Sequence, residues 1–132
     1  MNHLIILAGG KGTRMNSDKP KVLTLIKGLP IIKHLLNNTS DICAKPTIIV
    51  GYKADEVKTE LGDNYHYVYQ EEQKGTGHAV MCAKDDLAGQ TNISSIIVLL
   101  GDHPLVNSET IKSLVNTRLR NDATISLATL TV

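Results

Sequence analysis

Short apolar runs alternate along the chain with segments whose apolar residues recur at helical spacing. The patterns predict strands over residues 3–8, 47–50, 66–69, 95–100 and 124–132. They predict helices over residues 30–36, 54–61, 78–87 and 109–120. This alternation predicts a Rossmann-like, doubly wound α/β fold with a mostly parallel sheet. Ligands of such sheets lie at the carboxyl ends of the strands, so the loops after the strands are the candidates for chemistry.

Three residues set the predicted ends of the helices. Pro30 suits the first position of a helix, which needs a fixed φ but no N–H donor. Gly62 suits the position that closes the second helix, and Ser108 is predicted to cap the last helix. The 132 residues together are enough for one domain with one core.

Composition narrows the class of partner. The chain is 42% hydrophobic and 20% charged with a formal net charge of +1, which argues against broad binding to nucleic acid or an acidic membrane. The two cysteines are far apart and lack metal-ligand spacing, which predicts reduced thiols and a cytoplasmic location. The apolar run at residues 4–8 is too short for a signal peptide or a membrane span.

The loop after the first predicted strand combines glycines with basic residues. Gly9, Gly10 and Gly12 leave the backbone free of side chains, so its amides can approach phosphate oxygens. Arg14 offers a planar fork for phosphate, and Lys21 offers a mobile charge. The spacing fits neither the P-loop nor the dinucleotide-binding fingerprint. A phosphate site is favoured over a plain glycine turn because Arg14 and Lys21 follow the glycines at short, defined spacings.

The loop after the third predicted strand carries a glutamine and two glycines. The Gln70 carboxamide has one donor and one acceptor group side by side, which can match a base edge such as N3–H and O4 of uracil. Gly75 and Gly77 permit close approach of the backbone. His78 is interpreted as a structural hydrogen-bonding residue and not as a general base.

The loop over residues 101–105 places a carboxylate directly after a buried strand. Magnesium prefers hard oxygen ligands and is usually held by one or two carboxylates together with phosphates. Asp102 is therefore the candidate magnesium ligand. A turn-forming role before Pro104 is the alternative, and the two other loops favour the metal.

The stretch over residues 7–23 closely resembles the signature of the nucleotide-sugar pyrophosphorylases, with its glycine-rich turn, Thr-Arg-Met and Pro-Lys. Residues 70–80 are similar to the N-acetylglucosamine-1-phosphate uridylyltransferases almost residue for residue. The resemblance implies that Arg14 and Lys21 are catalytic, because they neutralise the triphosphate, and that Asp102 binds the metal. The implied nucleotide-binding residues are Leu7, Ala8, Gly9, Gly10, Lys21, Gln70, Gly75, Thr76, Gly101 and Asp102.

The resemblance also implies an activity. Residues 1–132 would form the nucleotide-binding portion of a nucleotidyltransferase domain that uses magnesium. A phosphate oxygen of N-acetylglucosamine 1-phosphate would attack the α-phosphorus of UTP, giving UDP-N-acetylglucosamine and pyrophosphate. UTP and a sugar 1-phosphate are then the expected partners, and neither nucleic acid nor a membrane is expected.

Two alternatives remain open. The first alternative is a related nucleotidyltransferase that uses another base or phosphate acceptor. Ala-Gly-Gly at residues 8–10 is more typical of hexose-phosphate and of molybdopterin or cobinamide nucleotidyltransferases. A non-catalytic nucleotide-binding fragment is the second. The family continues beyond the position of Val132 with elements that bind the amino sugar. We therefore expect slow turnover by this chain alone, with the acceptor half supplied by chain beyond Val132. We also expect marginal stability or self-association as a homo-oligomer.

Overall fold

A four-stranded parallel sheet forms the centre of this computed structural model, which describes residues 1–12 and 18–129. The strands in chain order are β1 (Asn2–Leu7), β2 (Leu25–Ile26), β3 (Leu29–Pro30), β4 (Thr47–Val50), β5 (His66–Tyr69) and β6 (Ser95–Leu100). The parallel sheet has the order β5-β4-β1-β6, and β2 and β3 form a separate antiparallel hairpin. The predicted α/β class with a mostly parallel sheet is confirmed.

Five α-helices within residues 1–12 and 18–129 cover the sheet. They are α1 (Ile31–Thr39), α2 (Ala54–Leu61), α3 (Thr76–Cys82), α4 (Lys84–Ala88) and α5 (Ser108–Arg120). Ile6 and Ile48 pack with residues of α1 and α2, whereas Ile5 and Ile49 pack with residues of α3 and α4. Successive residues of the central strands therefore face opposite layers of helices, as the alternation along a strand requires. No helix in the described part of the chain is both long and apolar enough to cross a membrane.

The structure corrects three predicted helix limits. Pro30 precedes α1 and is not its first residue. The predicted helix over residues 78–87 is two helices that meet at Ala83, because the backbone there forms a tighter turn in which the Ala83 N–H donates to the Val80 carbonyl. Asn107, not Ser108, caps α5, since the Asn107 side chain accepts from the backbone N–H of Thr110 at 3.0 Å.

The predicted strand over residues 124–132 is wrong over its described part. Residues 124–129 are irregular, and the Ile125 and Leu127 side chains are 74% and 80% exposed. The segment lies against α5, where the Ser126 hydroxyl donates to the Leu114 carbonyl at 3.1 Å. A segment with alternating apolar residues becomes a strand only if its backbone pairs with a neighbouring strand. Residues 124–129 form no backbone ladder with β6.

Candidate functional site

The loops that follow β1, β5 and β6 meet at a cavity of about 400 Å³. Its lining residues come from all three loops and the elements next to them: Leu7, Gly9, Gly10, Gly12, Lys21, Val22, Gln70, Gln73, Gly75, Thr76, Ala79, Leu100 and Asp102. β5 and β6 are the outer strands of the four-stranded sheet, so their ends lie three strand spacings, or about 14 Å, apart. The cavity therefore lies at the carboxyl ends of the strands, where ligand sites of such folds occur.

The glycine loop after β1 is fixed to its neighbours through one carbonyl. The Gly9 oxygen accepts from the backbone N–H of Tyr52 at 3.1 Å and from Nε2 of Gln73 at 2.9 Å. These bonds attach the loop to the chain after β4 and to the loop after β5. Gly12 has a φ of +64°, and a Cβ there would lie 2.8 Å from the Cβ of Lys21. Glycine at position 12 therefore allows the close approach of Lys21.

A pair of opposite charges lies on the cavity wall. Lys21 begins a short 3-10 turn over Lys21–Leu23, and Asp102 follows the end of β6. Lys21 Nζ lies 2.5 Å from Asp102 Oδ2, and the Asp102 side chain is 23% exposed. Nε2 of His103 lies 3.8 Å from the other carboxylate oxygen.

The ionisation of Asp102 reflects two opposing effects. Partial burial by itself raises the pKa of Asp102. The hydrogen bond and the charge of Lys21 act in the opposite direction, with a smaller contribution from His103, and the net pKa lies below its usual value of 3.8. The carboxylate is thus kept charged next to the cavity, as a ligand for a cation must be.

The end of β6 approaches β1 closely at Gly101. The Gly101 N–H donates to the Leu7 carbonyl at 2.9 Å. A Cβ at position 101 would lie 2.8 Å from that same oxygen and 3.0 Å from a methyl group of Val22. Glycine is therefore needed to bring Asp102 to the cavity.

Gln70 is the buried polar residue of the loop after β5, with an exposed fraction of 5%. Its Nε2 donates to the Gly75 carbonyl and to Nδ1 of His78, each at 3.1 Å. A Cβ on Gly9 would lie 3.4 Å from Oε1 of Gln70, so the carboxamide lies between two loops of the cavity. The interpretation of His78 as a hydrogen-bonding residue agrees with this contact.

The structure brings most of the sequence-predicted site residues together. Those that line the cavity are Leu7, Gly9, Gly10, Lys21, Gln70, Gly75, Thr76 and Asp102. Ala8 is buried and packs in the core around Ile6, and Gly101 is buried behind Asp102. Arg14 lies outside the described residues, so its predicted contact with phosphate stays a prediction.

Sequence reasoning missed two residues that shape the site. Gln73 lines the cavity and holds Gly9, and it could have been noticed as a second carboxamide in the loop of Gln70. Gly51 follows β4 as Gly9 follows β1, and a Cβ there would lie 2.7 Å from Nε2 of Gln73. Gln73 thus holds the loop after β1 against the loop after β5, and glycine at position 51 leaves room for the Gln73 side chain.

The acidic residues of the site limit the kind of metal it could hold. Asp102 is the one acidic residue among the described residues that line the cavity. No group of three or more His, Cys, Asp or Glu side chains with metal-binding geometry occurs within residues 1–12 and 18–129. This arrangement does not suit a cation held entirely by protein. It suits a hard cation that takes most of its oxygen ligands from phosphates.

Solved structures with this arrangement of elements include a nucleotidyl transferase. A nucleotidyl transferase from Methanothermobacter (Mth528) superposes with a TM-score of 0.69 at 20% identity, over 88% of this chain and 57% of that one. Rv0371c from Mycobacterium tuberculosis H37Rv, in complex with manganese, has a TM-score of 0.69 at 19% identity, over 88% of this chain and 58% of that one. At these identities the likeness shows the fold.

Sequence comparison is more specific. Bifunctional protein GlmU from Streptococcus equi subsp. zooepidemicus is 45% identical over 96% of this chain, and GlmU from a serotype M12 strain of Streptococcus pyogenes is 42% identical over 97%. The chain spans 28% and 31% of the lengths of these two relatives, in their N-terminal part. The resemblance drawn from the loops is confirmed. The family model that matches residues 4–130 is the MobA-like NTP transferase domain, and the chain belongs to this family.

Proposed function

We propose that this chain binds UTP with magnesium and takes part in the transfer of UMP to N-acetylglucosamine 1-phosphate. The observation that carries the proposal is the cavity that joins a buried carboxamide, Gln70, to a charge pair, Lys21 and Asp102. Gln70 and Asp102 follow the two outer strands, whose ends lie about 14 Å apart. An elongated ligand with a polar ring at one end and anionic groups at the other fits this distribution.

The glycine loop between these two ends would hold the phosphates. Gly9 and Gly10 line the cavity, and no atom lies within 4 Å of the place where a Cβ of Gly10 would be. Backbone amides can approach phosphate oxygens closely at such a position. Lys21 would neutralise phosphate charge directly, and Arg14 would add a second cation.

Catalysis in this proposal consists of positioning and charge neutralisation. Asp102 would hold magnesium together with phosphate oxygens of the nucleotide, and a divalent ion is present in the manganese complex of the structural neighbour Rv0371c. The bound metal would supply charge stabilisation for the leaving pyrophosphate. Lys21 would stabilise the same developing charge, so no nucleophilic serine or cysteine is needed.

The acceptor, the base and the cellular location are all part of the proposal. N-acetylglucosamine 1-phosphate is proposed from the similarity to GlmU, of which the chain covers 28%. UTP is proposed because Gln70, Gly75 and Thr76 line the cavity and match the residues that contact uracil in the resembled family. A cytoplasmic location is proposed from the free thiols of Cys43 and Cys82.

Calorimetric titration with UTP, CTP, ATP and GTP, each with and without magnesium, tests the proposal. UTP with magnesium is expected to bind most tightly. Gln70→Leu should reduce the preference for UTP, whereas Gln90→Leu, at an exposed position after α4, should leave it unchanged. A clear preference for GTP would overturn the assignment to UTP and would favour a molybdopterin or cobinamide type of enzyme.

A further inference from the structure

We infer that His78 is a positioning residue that makes Gln70 a hydrogen-bond acceptor, and only an acceptor, toward the nucleotide base. This inference rests on the proposed function, because it assigns the base-recognition chemistry of the same cavity. It replaces the expectation that Gln70 offers both a donor and an acceptor to the base.

The Gly75 carbonyl fixes the orientation of the Gln70 carboxamide. A backbone carbonyl can only accept, so the NH₂ end of Gln70 must face it, at the observed 3.1 Å. That NH₂ group has two hydrogens. The second hydrogen points to Nδ1 of His78, also at 3.1 Å.

The same geometry fixes the tautomer of His78. Since Nε2 of Gln70 donates, Nδ1 of His78 must accept, and the ring proton must be on Nε2 of the imidazole. His78 is half-buried in the first turn of α3, and Gln70 is 5% exposed, so neither contact lies on an open surface. Both donors of Gln70 are thereby used within the protein.

One polar atom of Gln70 is left for a ligand. Within the described part of the chain, no donor reaches Oε1 of Gln70. In the same part of the chain, every side-chain nitrogen or oxygen that is buried has a hydrogen-bond partner, so an oxygen without a partner is not buried. Oε1 is therefore accessible, and it lies beside Gly9, which together with Gln70 lines the cavity. A base that enters the cavity would meet an acceptor at this position.

An acceptor at this place selects the chemistry of the base. Uracil presents a ring N3–H, which donates to Oε1. Cytosine presents a lone pair at N3, which would place two acceptors against each other and leave Oε1 unpaired. The substrate class is therefore nucleotides whose ring edge carries an N–H, and cytosine nucleotides are rejected. The Gly75 carbonyl and Nδ1 of His78 both oppose rotation of the carboxamide. Without the His78 acceptor one of these two contacts is lost, so the rotated carboxamide becomes more accessible and this distinction should weaken.

The hydrogen-bond arrangement can be tested without any nucleotide. Nitrogen-15 NMR of the histidine rings in the full chain should show an unprotonated Nδ1 and a protonated Nε2 for His78 at neutral pH. The carboxamide hydrogens of Gln70 should exchange with solvent more slowly than those of the exposed Gln90. A ring proton on Nδ1 of His78 would overturn the inference even if UTP binds.

Base selectivity tests the consequence with a matched pair of variants. His78→Asn keeps an acceptor at the place of Nδ1, whereas His78→Leu keeps the bulk and removes the acceptor. We expect the ratio of UTP to CTP affinity to stay near the wild-type value in His78→Asn and to fall by about tenfold in His78→Leu. The triphosphate is common to both nucleotides, so general damage to the site would weaken both and leave the ratio unchanged.

The two experiments separate failure of the inference from failure of the proposed function. An unchanged UTP to CTP ratio in a folded His78→Leu protein would overturn the role of His78 while UTP binding stands. A wild-type protein that binds neither pyrimidine nucleotide would overturn the proposed function and the selectivity with it. Thermal unfolding of both variants shows whether each is folded at the temperature of the titration.

Discussion

The ammonium group of Lys21 lies 2.5 Å from a carboxylate oxygen of Asp102. In the proposed function these side chains have different ligands, since Lys21 binds phosphate and Asp102 binds magnesium. Each must therefore exchange its present partner for a ligand when the nucleotide arrives. Metal on Asp102 would release Lys21 for phosphate, so binding of metal and of nucleotide should favour each other.

Asp102→Asn is expected to abolish the tightening of UTP binding by magnesium. The amide keeps the shape of the side chain but removes the charge that holds the cation. Metal-free UTP should bind at least as tightly as before, because Lys21 no longer has a charged partner. Titration with and without magnesium measures both effects. Glu71→Gln, an exposed residue beyond the cavity lining, is the control. Unchanged metal dependence would show that Asp102 is only a turn residue.

Lys21→Ala and Arg14→Ala are each expected to weaken UTP binding by about 2 kcal/mol, as lost charge-assisted contacts do. Binding of uridine, which has no phosphates, should change much less. Comparison of UTP and uridine affinities measures the difference, with the exposed Lys45→Ala as a control for loss of positive charge. Normal UTP binding by both variants would mean that the glycine loop is a structural turn without a phosphate role.

Acid should destabilise the fold through His3. Burial, with a contribution from His66, lowers the pKa of His3 below its ordinary value of 6.5, and its Nε2 lies 2.9 Å from the Thr47 hydroxyl. The unfolded chain therefore takes up a proton at a higher pH than the folded chain. The free energy of unfolding should fall as pH drops below 6.5, by at most about 1.4 kcal/mol per pH unit.

Urea unfolding at pH 7.5 and pH 5.5 measures this effect of His3. A His3→Gln variant should lose much of the difference between the two conditions, although it is expected to be less stable at both. If the variant kept the full wild-type difference, another group would be responsible for the acid sensitivity.

Two glycines of the predicted site should respond differently to alanine. Gly101→Ala places a Cβ 2.8 Å from the Leu7 carbonyl oxygen, so the end of β6 must move away from β1. We expect a loss of about 1–3 kcal/mol, as for other overpacked sites. Gly10→Ala meets no atom within 4 Å and should change stability by less than about 0.5 kcal/mol. Equal unfolding midpoints for the two variants would contradict this close approach.

The sequence was sufficient to predict features that depend on local pattern. The loops of Gly9, Gln70 and Asp102 could be identified because each follows a segment that the pattern predicts as a strand. The prediction that the strand before Asp102 is buried is wrong, because β6 is an outer strand with exposed apolar side chains. The contacts between the loops could not be predicted. The pairing of Lys21 with Asp102 and of Gln73 with Gly9 depends on which strands are neighbours in the sheet. Hydrophobic periodicity predicts where strands occur along the chain but not their order in the sheet.

The errors have similar causes. Serine is a common helix cap, so the sequence favours Ser108, but asparagine caps equally well and Asn107 has the extended conformation that a cap requires. The last predicted strand rests on the alternation of apolar residues alone. Over residues 124–129 the tertiary contact with α5 overrides that preference.

The pairing of β1 with β6 has a consequence for the order in which the protein can fold. All six residues of β1 pair with β6, from Asn2 opposite Ser95 to Leu7 opposite Leu100. During synthesis β1, β4 and β5 leave the ribosome well before β6. One edge of β1 therefore stays unpaired until β6, about ninety residues later in the chain, has been synthesised. Such distant contacts are expected to form late. The glycine loop and the loop of Gln70 can therefore assemble first, and the Asp102 carboxylate is the last part of the cavity wall to arrive.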